Sequence, residues 1–390
     1  MDFGFNEEQD LLRETSRRFL AERQPVASLR PRIEAPDIFD PEIWRHGAEL
    51  GWTAMLIPAE FGGGSLTGQP LVDLMVLAEE LGRVLNPGPF VGCNVVADAL
   101  ARSGRDVQAK TYLPDLAAGA TTAAWCLSGD GAPVVSAVEV RATAESEVEA
   151  EGGGTGDGWR LDGVSRYVHE GSSAALFLVV ALGEGDRVVN LLVPRTTAGL
   201  SSRTVTGLDL TRRFSEVTFD GVRVPAANEV PGGWDVVERC LAVATVLQAG
   251  DSVGAAEVLF AATVDYLQRR VQFGRTIASY QAIKHRLADL SMELEGMRVA
   301  AEYAALALGD GFDDAPEAVA TAGAYVGDAF SHLCGEALQL HGGIGFTWEH
   351  DVHLFSRRAK ANQVLFGDGS WHRERLVRLV EAAIGATGEA

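Results

Sequence analysis

A chain of 390 residues, 47% of them hydrophobic, is long enough to bury a sizeable core and to divide into two or three domains. Its formal charge of -21 argues against nucleic acid or an anionic membrane as a partner. Anionic small molecules stay open, because they need only a local arginine or a helix N-terminus.

Residues 1–119 read as an α-helical domain. Asn6 is placed to cap the first helix, with Gln9 in the reciprocal capping-box position. Leu11, Leu12, Thr15, Phe19 and Leu20 follow at helical spacing. The first residues carry acids where a signal peptide carries bases, so a cytoplasmic location is expected. No apolar run approaches the roughly 20 residues that span a bilayer. Gly62-Gly-Gly and Asn86-Pro-Gly-Pro mark loops.

Residues 120–230 change period. Ala175-Leu-Phe-Leu-Val-Val, Val188-Val-Asn-Leu-Leu-Val and Phe214-Ser-Glu-Val-Thr-Phe predict short strands of an antiparallel, barrel-like β-domain. The acidic, Gly-rich stretch 142–158 reads as a mobile hairpin loop.

Residues 231–390 return to helix. Ile283, Leu287, Leu290, Leu294, Met297, Ala301, Ala304 and Leu308 form one apolar seam. Val319, Ala322, Val326, Phe330, Leu333, Ala337 and Leu340 form a second, which together predict a four-helix bundle. The fold class is therefore multidomain α+β. An α-β-α order disfavours a Rossmann enzyme or a TIM barrel. The four scattered cysteines read as buried free thiols. Glu349-His350-Asp351 with His353 lacks metal-site spacing and reads as a solvated helix face. His341 reads as a packing or hydrogen-bonding histidine.

Several segments, in order along the chain, resemble the acyl-CoA dehydrogenases. They are Leu50-Gly-Trp with Ile57-Pro-Ala-Glu-Phe-Gly-Gly, Glu79-Glu-Leu-Gly-Arg, and Phe219-Asp-Gly-Val-Arg-Val-Pro. Arg269-Arg-Val-Gln-Phe-Gly-Arg-Thr-Ile with Tyr280-Gln-Ala-Ile is the most specific, followed by Gln339-Leu-His-Gly-Gly-Ile-Gly-Phe-Thr. The resemblance implies α,β-desaturation of an acyl-CoA thioester. In that chemistry a carboxylate takes the α-proton and FAD takes the β-hydrogen as hydride. It also implies an FAD site shared between two subunits, and electron-transfer flavoprotein or a similar acceptor as a partner.

By this resemblance Arg270 contacts the FAD pyrophosphate, with Gln272 and Phe273 beside it. Gln281, Gln339, Gly342 and Gly343 lie along the ribose and adenosine. Arg pairs with phosphate, and Gly lets backbone approach a ligand. The glycines alone fit a helix terminus equally well.

The half of the pattern that holds the flavin ring departs from the family. Trp125-Cys-Leu-Ser-Gly-Asp-Gly-Ala-Pro stands where a Thr-Glu-Pro, Gly-Ser-Asp stretch is usual. Tyr167-Val-His-Glu replaces an aromatic–Ile–Ser/Thr–Asn segment. Tyr167 keeps an aromatic for packing, and Ser128 and His169 are the substitute donors. Phe366 occupies the usual position of the catalytic Glu, and Ala244 the alternative one, so the catalytic residue is left unassigned. Asp368 is the nearest substitute, against its reading as an ordinary turn aspartate. Glu238 and Asp251 rank lower.

The expectation is therefore an FAD-dependent acyl-CoA dehydrogenase chain acting on an acyl-CoA substrate. It serves as the subunit without a base in a heteromer (a heterotetramer), like those of bacterial steroid and fatty acyl side-chain β-oxidation. The alternatives are a self-sufficient, homo-oligomeric dehydrogenase using Asp368, a flavin oxidase or monooxygenase, and a non-catalytic protein of this fold.

Overall fold

The structure, a computed structural model, describes residues 4–35, 38–127, 133–149 and 155–388. Ser128 lies outside them, as do residues 150–154 of the expected hairpin loop.

Five helices come first: α1 (Glu7–Arg23), α2 (Pro41–Glu49), α3 (Pro70–Arg83), α4 (Phe90–Ser103) and α5 (Asp106–Ala117). The Asn6–Gln9 capping box forms as expected, satisfying two otherwise free backbone N–H groups. The buried face of α1 is Gln9, Leu12, Ser16 and Leu20. Leu11 stays exposed, because Gln9 and Ser16 share the buried stripe with Leu12 and Leu20.

The middle region is one eight-stranded sheet: β1 (Ala123–Cys126), β2 (Arg141–Glu149), β3 (Thr155–His169), β4 (Leu176–Leu182), β5 (Val188–Pro194), β6 (Leu200–Val205), β7 (Phe214–Pro225) and β8 (Glu229–Val230). The strand order is β6-β7-β3-β2-β4-β5-β8, with β1 beside β4. The sheet is mixed, not purely antiparallel. β1 and β2 both pair with β4 in parallel, through connections too long to be hairpins.

Strand β4 explains its own sequence. Leu176, Leu178, Val180 and Leu182 face the helices, while Phe177, Val179 and Ala181 enter a second core enclosed by the sheet's own strands. A strand buried on both faces reads as a continuous apolar run. Most of the expected loop at 142–158 is strand. Ala142 and Val148 point inward, and Glu145 pairs outward with Arg223 at 2.8 Å, with a bulge between Glu145 and Val148.

The C-terminal helices are α6 (Trp234–Arg269), α7 (Gln281–Asp310), α8 (Ala315–His341), α9 (Val352–Asn362) and α10 (Gly369–Gly388). A short hairpin, β9 (Val271–Gln272) and β10 (Arg275–Thr276), links α6 to α7. Helices α6, α7, α8 and α10 form the bundle. All seven residues of the predicted α8 seam are buried. In α7 the seam is buried from Leu290 to Ala304 and only partly covered at its two ends.

Helix α6 is long and apolar enough to cross a membrane, contrary to the reading that no segment approaches this, but most of that stretch is buried in the core. It crosses α3 so closely that the backbones touch. A Cβ on Gly82 would meet the Asp251 carbonyl at 2.0 Å, and one on Gly254 would meet that of Glu79 at 1.8 Å. The Glu79-Glu-Leu-Gly-Arg motif is thus a contact device. Gly82 lets the helices meet, and Glu79, Glu80 and Arg83 pair with Arg13, Arg17 and Glu257. All four cysteines are free and buried, and burial pushes the Cys93 thiol up to about 12, so these thiols are unreactive.

Candidate functional site

A cavity of about 450 Å³ opens where the three regions meet. Helix α4 supplies Val91 and Val95, the sheet supplies Trp125 and Arg166–His169, and the α9–α10 turn supplies Val364–Asp368. Its size is that of a small-molecule site. The Trp125 and Phe366 rings lie nearly parallel, with centroids 6.2 Å apart.

Two of its non-glycine residues hold left-handed backbone, Tyr167 at φ 53° and Phe366 at φ 62°. Bulky residues rarely adopt this region, and such strain concentrates at functional sites. The turn is held from behind: Gln248 of α6 donates to the carbonyls of Asn362 (2.8 Å) and Leu365 (3.0 Å).

The expected base positions are clear. Phe366 lines the cavity, and Ala244 is fully buried within α6. Asp368 is the only carboxylate among the described lining residues. Its Oδ1 accepts from the Trp371 N–H at 2.7 Å, which makes it the N-cap of α10. Glu238 is engaged elsewhere, accepting from Trp234 Nε1 and pairing with Arg375.

Asp251 belongs to an ion cluster that the sequence did not reveal. Arg358, with no exposed surface, donates to Asp209 (2.6 Å), Asp251 (2.7 Å) and Thr211 Oγ1 (2.7 Å), and to the Leu85 and Asn86 carbonyls. One guanidinium therefore joins the N-terminal helices, the sheet and the bundle. Arg212 extends the cluster, donating to Asn362 Oδ1 at 2.6 Å and pairing with Asp251 at 3.2 Å. Burial would raise the Asp209 carboxyl, but Arg358 and Arg212 outweigh it and hold it below its ordinary range. His169 sits between cavity and cluster. Burial, then Arg212 and Arg358, push its imidazole well down, so it is neutral.

The second group of residues lies on the far side of the bundle. Arg270, Arg269, Tyr266, His341 and His350 line an open surface pocket. The Tyr266 hydroxyl donates to the His341 carbonyl at 3.3 Å, and the two rings stack at 4.6 Å, joining the ends of α6 and α8. His341 Nδ1 bonds to the Ala337 carbonyl at 2.8 Å, the packing role read from the sequence.

Arg270 is exposed and, among the described residues, makes no ion pair, whereas its neighbour Arg269 pairs with Asp265. Gln272 and Phe273 follow in the hairpin, Phe273 with 94% of its surface exposed. Gln281 begins α7, and Gln339, Gly342 and Gly343 stand at the end of α8. Gln281 and Gln339 are exposed, and neither lines the pocket that holds Arg270. A Cβ on Gly342 or Gly343 would meet nothing within 4 Å, so both face open space. Neither glycine lines the pocket that holds Arg270, and an exposed cation without an ion pair among the described residues suits a phosphate-bearing ligand. The acid–histidine run is otherwise employed: Asp351 pairs with Arg30, His350 packs edge-on to His341, and His353 stacks on Trp348.

Comparison with known proteins decides the family. Residues 6–120 match the model of the acyl-CoA dehydrogenase N-terminal domain, and residues 231–380 that of the C-terminal domain. Acyl-CoA dehydrogenase IpdE2 of Mycobacterium tuberculosis is 31% identical, over 92% of this chain and 93% of that one. The chain belongs to the acyl-CoA dehydrogenase family. These are oxidoreductases acting on acyl-CoA.

Among solved structures of this fold, a variant of the Tcur3481-Tcur3483 steroid ACAD is similar, with TM-score 0.85 and 28% identity over 97% of this chain and 99% of that one. The ChsE4-ChsE5 complex of Mycobacterium tuberculosis gives TM-score 0.84 and 26% identity, over 98% and 99%.

Proposed function

We propose that this acyl-CoA dehydrogenase chain is the subunit without a base in a heteromer, and that it holds the ADP end of an FAD whose ring and base lie in its partner. The observation that carries this reading is the content of the cavity. Its wall presents Phe366 and Trp125, and its one carboxylate among the described residues is a helix cap. The surface around Arg270 keeps what a pyrophosphate needs. Two structures similar to this chain are the Tcur3481-Tcur3483 steroid ACAD and the ChsE4-ChsE5 complex.

In this reading Arg270 pairs with the pyrophosphate, Gln272 and Phe273 flank it, and Gln281, Gln339, Gly342 and Gly343 run along the ribose and adenosine. FAD, when bound, supplies the acceptor for the β-hydrogen of the acyl-CoA. The domains are those of the sequence, residues 1–119, 120–230 and 231–390. Electron-transfer flavoprotein, or an acceptor like it, reoxidises the complex.

The experiment is co-purification with candidate partner chains, counting flavin per chain. Flavin and dehydrogenase activity are expected only in the assembled complex. Full flavin occupancy with activity in the isolated chain would overturn the reading. Within the complex, Arg270→Ala weakens flavin retention by about ten- to a hundredfold, the loss of a charged hydrogen bond. Equilibrium dialysis measures this, and an unchanged affinity removes Arg270 from the site.

Asp368 lines the cavity, which favours one second reading, a self-sufficient enzyme with Asp368 as base. Asn caps helices as well as Asp does. Asp368→Asn therefore removes the base while keeping α10 intact. Unchanged bleaching of flavin by substrate is the expected result, and complete loss of bleaching with a normal melting curve would favour Asp368.

A further inference from the structure

Behind the His169 wall lies a second, small space of about 20 Å³, lined by Asn86, Arg212, Asp251 and His169 among apolar residues of α3, α4 and α6. His169 lines both this space and the large cavity. Two lining atoms have no hydrogen-bond partner among the described residues, although both are buried: Asn86 Oδ1 and His169 Nε2. The nearest carboxylate oxygen to His169 Nε2, Glu170 Oε1, stands at 3.9 Å, beyond hydrogen-bond reach.

Leaving both atoms unmet would cost about 1–3 kcal/mol each, and structures avoid this at the great majority of buried polar groups. The Asn86 backbone and the His169 ring are both held in place. The Asn86 carbonyl accepts from Arg358, and the His169 ring packs against Phe214 with centroids 5.5 Å apart. A space of about 10–15 Å³ accommodates one water, provided two to four polar groups surround it. This space meets both conditions.

We propose that it is a binding site for one long-lived water molecule, which bridges His169 Nε2 and Asn86 Oδ1 and ties the cavity wall to the Arg212–Asp251 cluster. The water donates to Asn86 Oδ1, an acceptor only, and completes the hydrogen bonding of Nε2. Arg212 and Asp251 supply the remaining polar surface. His169 is thereby a positioning residue. The water fixes its ring orientation and its tautomer, and so the hydrogen-bonding character of the wall that faces a ligand. The proposal concerns this chain alone and does not depend on the heteromeric reading.

Two measurements on the full chain test it. Oxygen-17 magnetic relaxation dispersion counts waters that exchange slowly, and Asn86→Leu is expected to lower that count by one. With histidine labelled at both ring nitrogens, the same substitution is expected to shift the His169 resonances and broaden them through tautomer exchange. A merely structural Asn86 would leave them in place. An unchanged water count and unchanged His169 resonances in a folded variant overturn the proposal. Should Asn86→Leu not fold, an atomic-resolution crystal structure of the unaltered chain decides. A density peak within hydrogen-bond distance of both atoms supports the site, and an empty space overturns it.

Discussion

Replacing Arg358 with Ala is expected to destabilise the chain by about 3–5 kcal/mol, the largest effect of any single substitution considered. The guanidinium is fully buried and neutralises Asp209 and Asp251, which are themselves nearly inaccessible. Its removal leaves Arg212 alone to compensate two carboxylates, and strips a donor from the Leu85 and Asn86 carbonyls. Met fills the volume but not the charge, so Arg358→Met should be nearly as damaging. Lys keeps the charge but cannot reproduce five directed bonds, so Arg358→Lys should recover only part of the loss. Urea unfolding measures all three. An unfolding free energy within about 1 kcal/mol of the unaltered chain for Arg358→Ala would show that the cluster contributes little.

The second large effect concerns pH. Glu79 is buried at the seam of α1, α3 and α6, and burial pushes its carboxyl from 4.5 up to about 7, against the pull of Arg13 and Arg298. Among the described residues only one of its oxygens has a partner, the Arg13 guanidinium at 3.1 Å; the other is buried without one. It cannot swing out, because the α3 backbone beneath it is pressed against Gly254. Glu80, Arg17, Arg83, Glu257 and Glu302 crowd the same seam.

The sign follows from the raised value. The folded state holds this proton more tightly than the unfolded state does. Stability from Glu79 is therefore complete below about pH 4.5 and is lost as pH rises to about 7. The full difference is on the order of 3 kcal/mol. Glu79→Gln is expected to raise stability by about 2–3 kcal/mol at pH 8 and by little at pH 5. Urea titrations of both proteins across that range check it. A gain independent of pH would mean that Glu79 is charged in the folded protein throughout.

What could be read from the sequence follows the range of the forces involved. The capping box at Asn6 and the α8 seam depend on residues three or four apart, and both are present. Phe366 and Ala244 also stand inside recognisable local segments, and the structure places Phe366 on the cavity wall and Ala244 inside α6. The mixed sheet was not. Parallel pairing of Ala123 with Leu176 joins residues far apart, and nothing in either strand announces direction. The stretch 142–158 looked like a loop because its outward residues are acidic. The inward pair, Ala142 and Val148, is split by a bulge that hides the alternation.

The ion cluster left no local trace at all. In the sequence Asp251 shows only its place on the helix of Ala244, whereas its environment is set by Arg358, 107 residues away. The sequence offers His169 only as a substitute donor in the segment that would face the flavin. Its burial and depressed proton affinity come from Arg212 and Arg358, visible only once the chain is folded.

The reach of Arg358 has a kinetic side. Its partners lie 107, 149 and 273 residues away along the chain. No subset of the three regions can satisfy it, so a half-assembled chain carries a cation stripped of water without its full set of acceptors. Such species are raised in energy relative to both ends of the reaction. Folding of the last region and locking of the first two therefore become one event, which sharpens cooperativity and discourages long-lived intermediates that expose apolar surface.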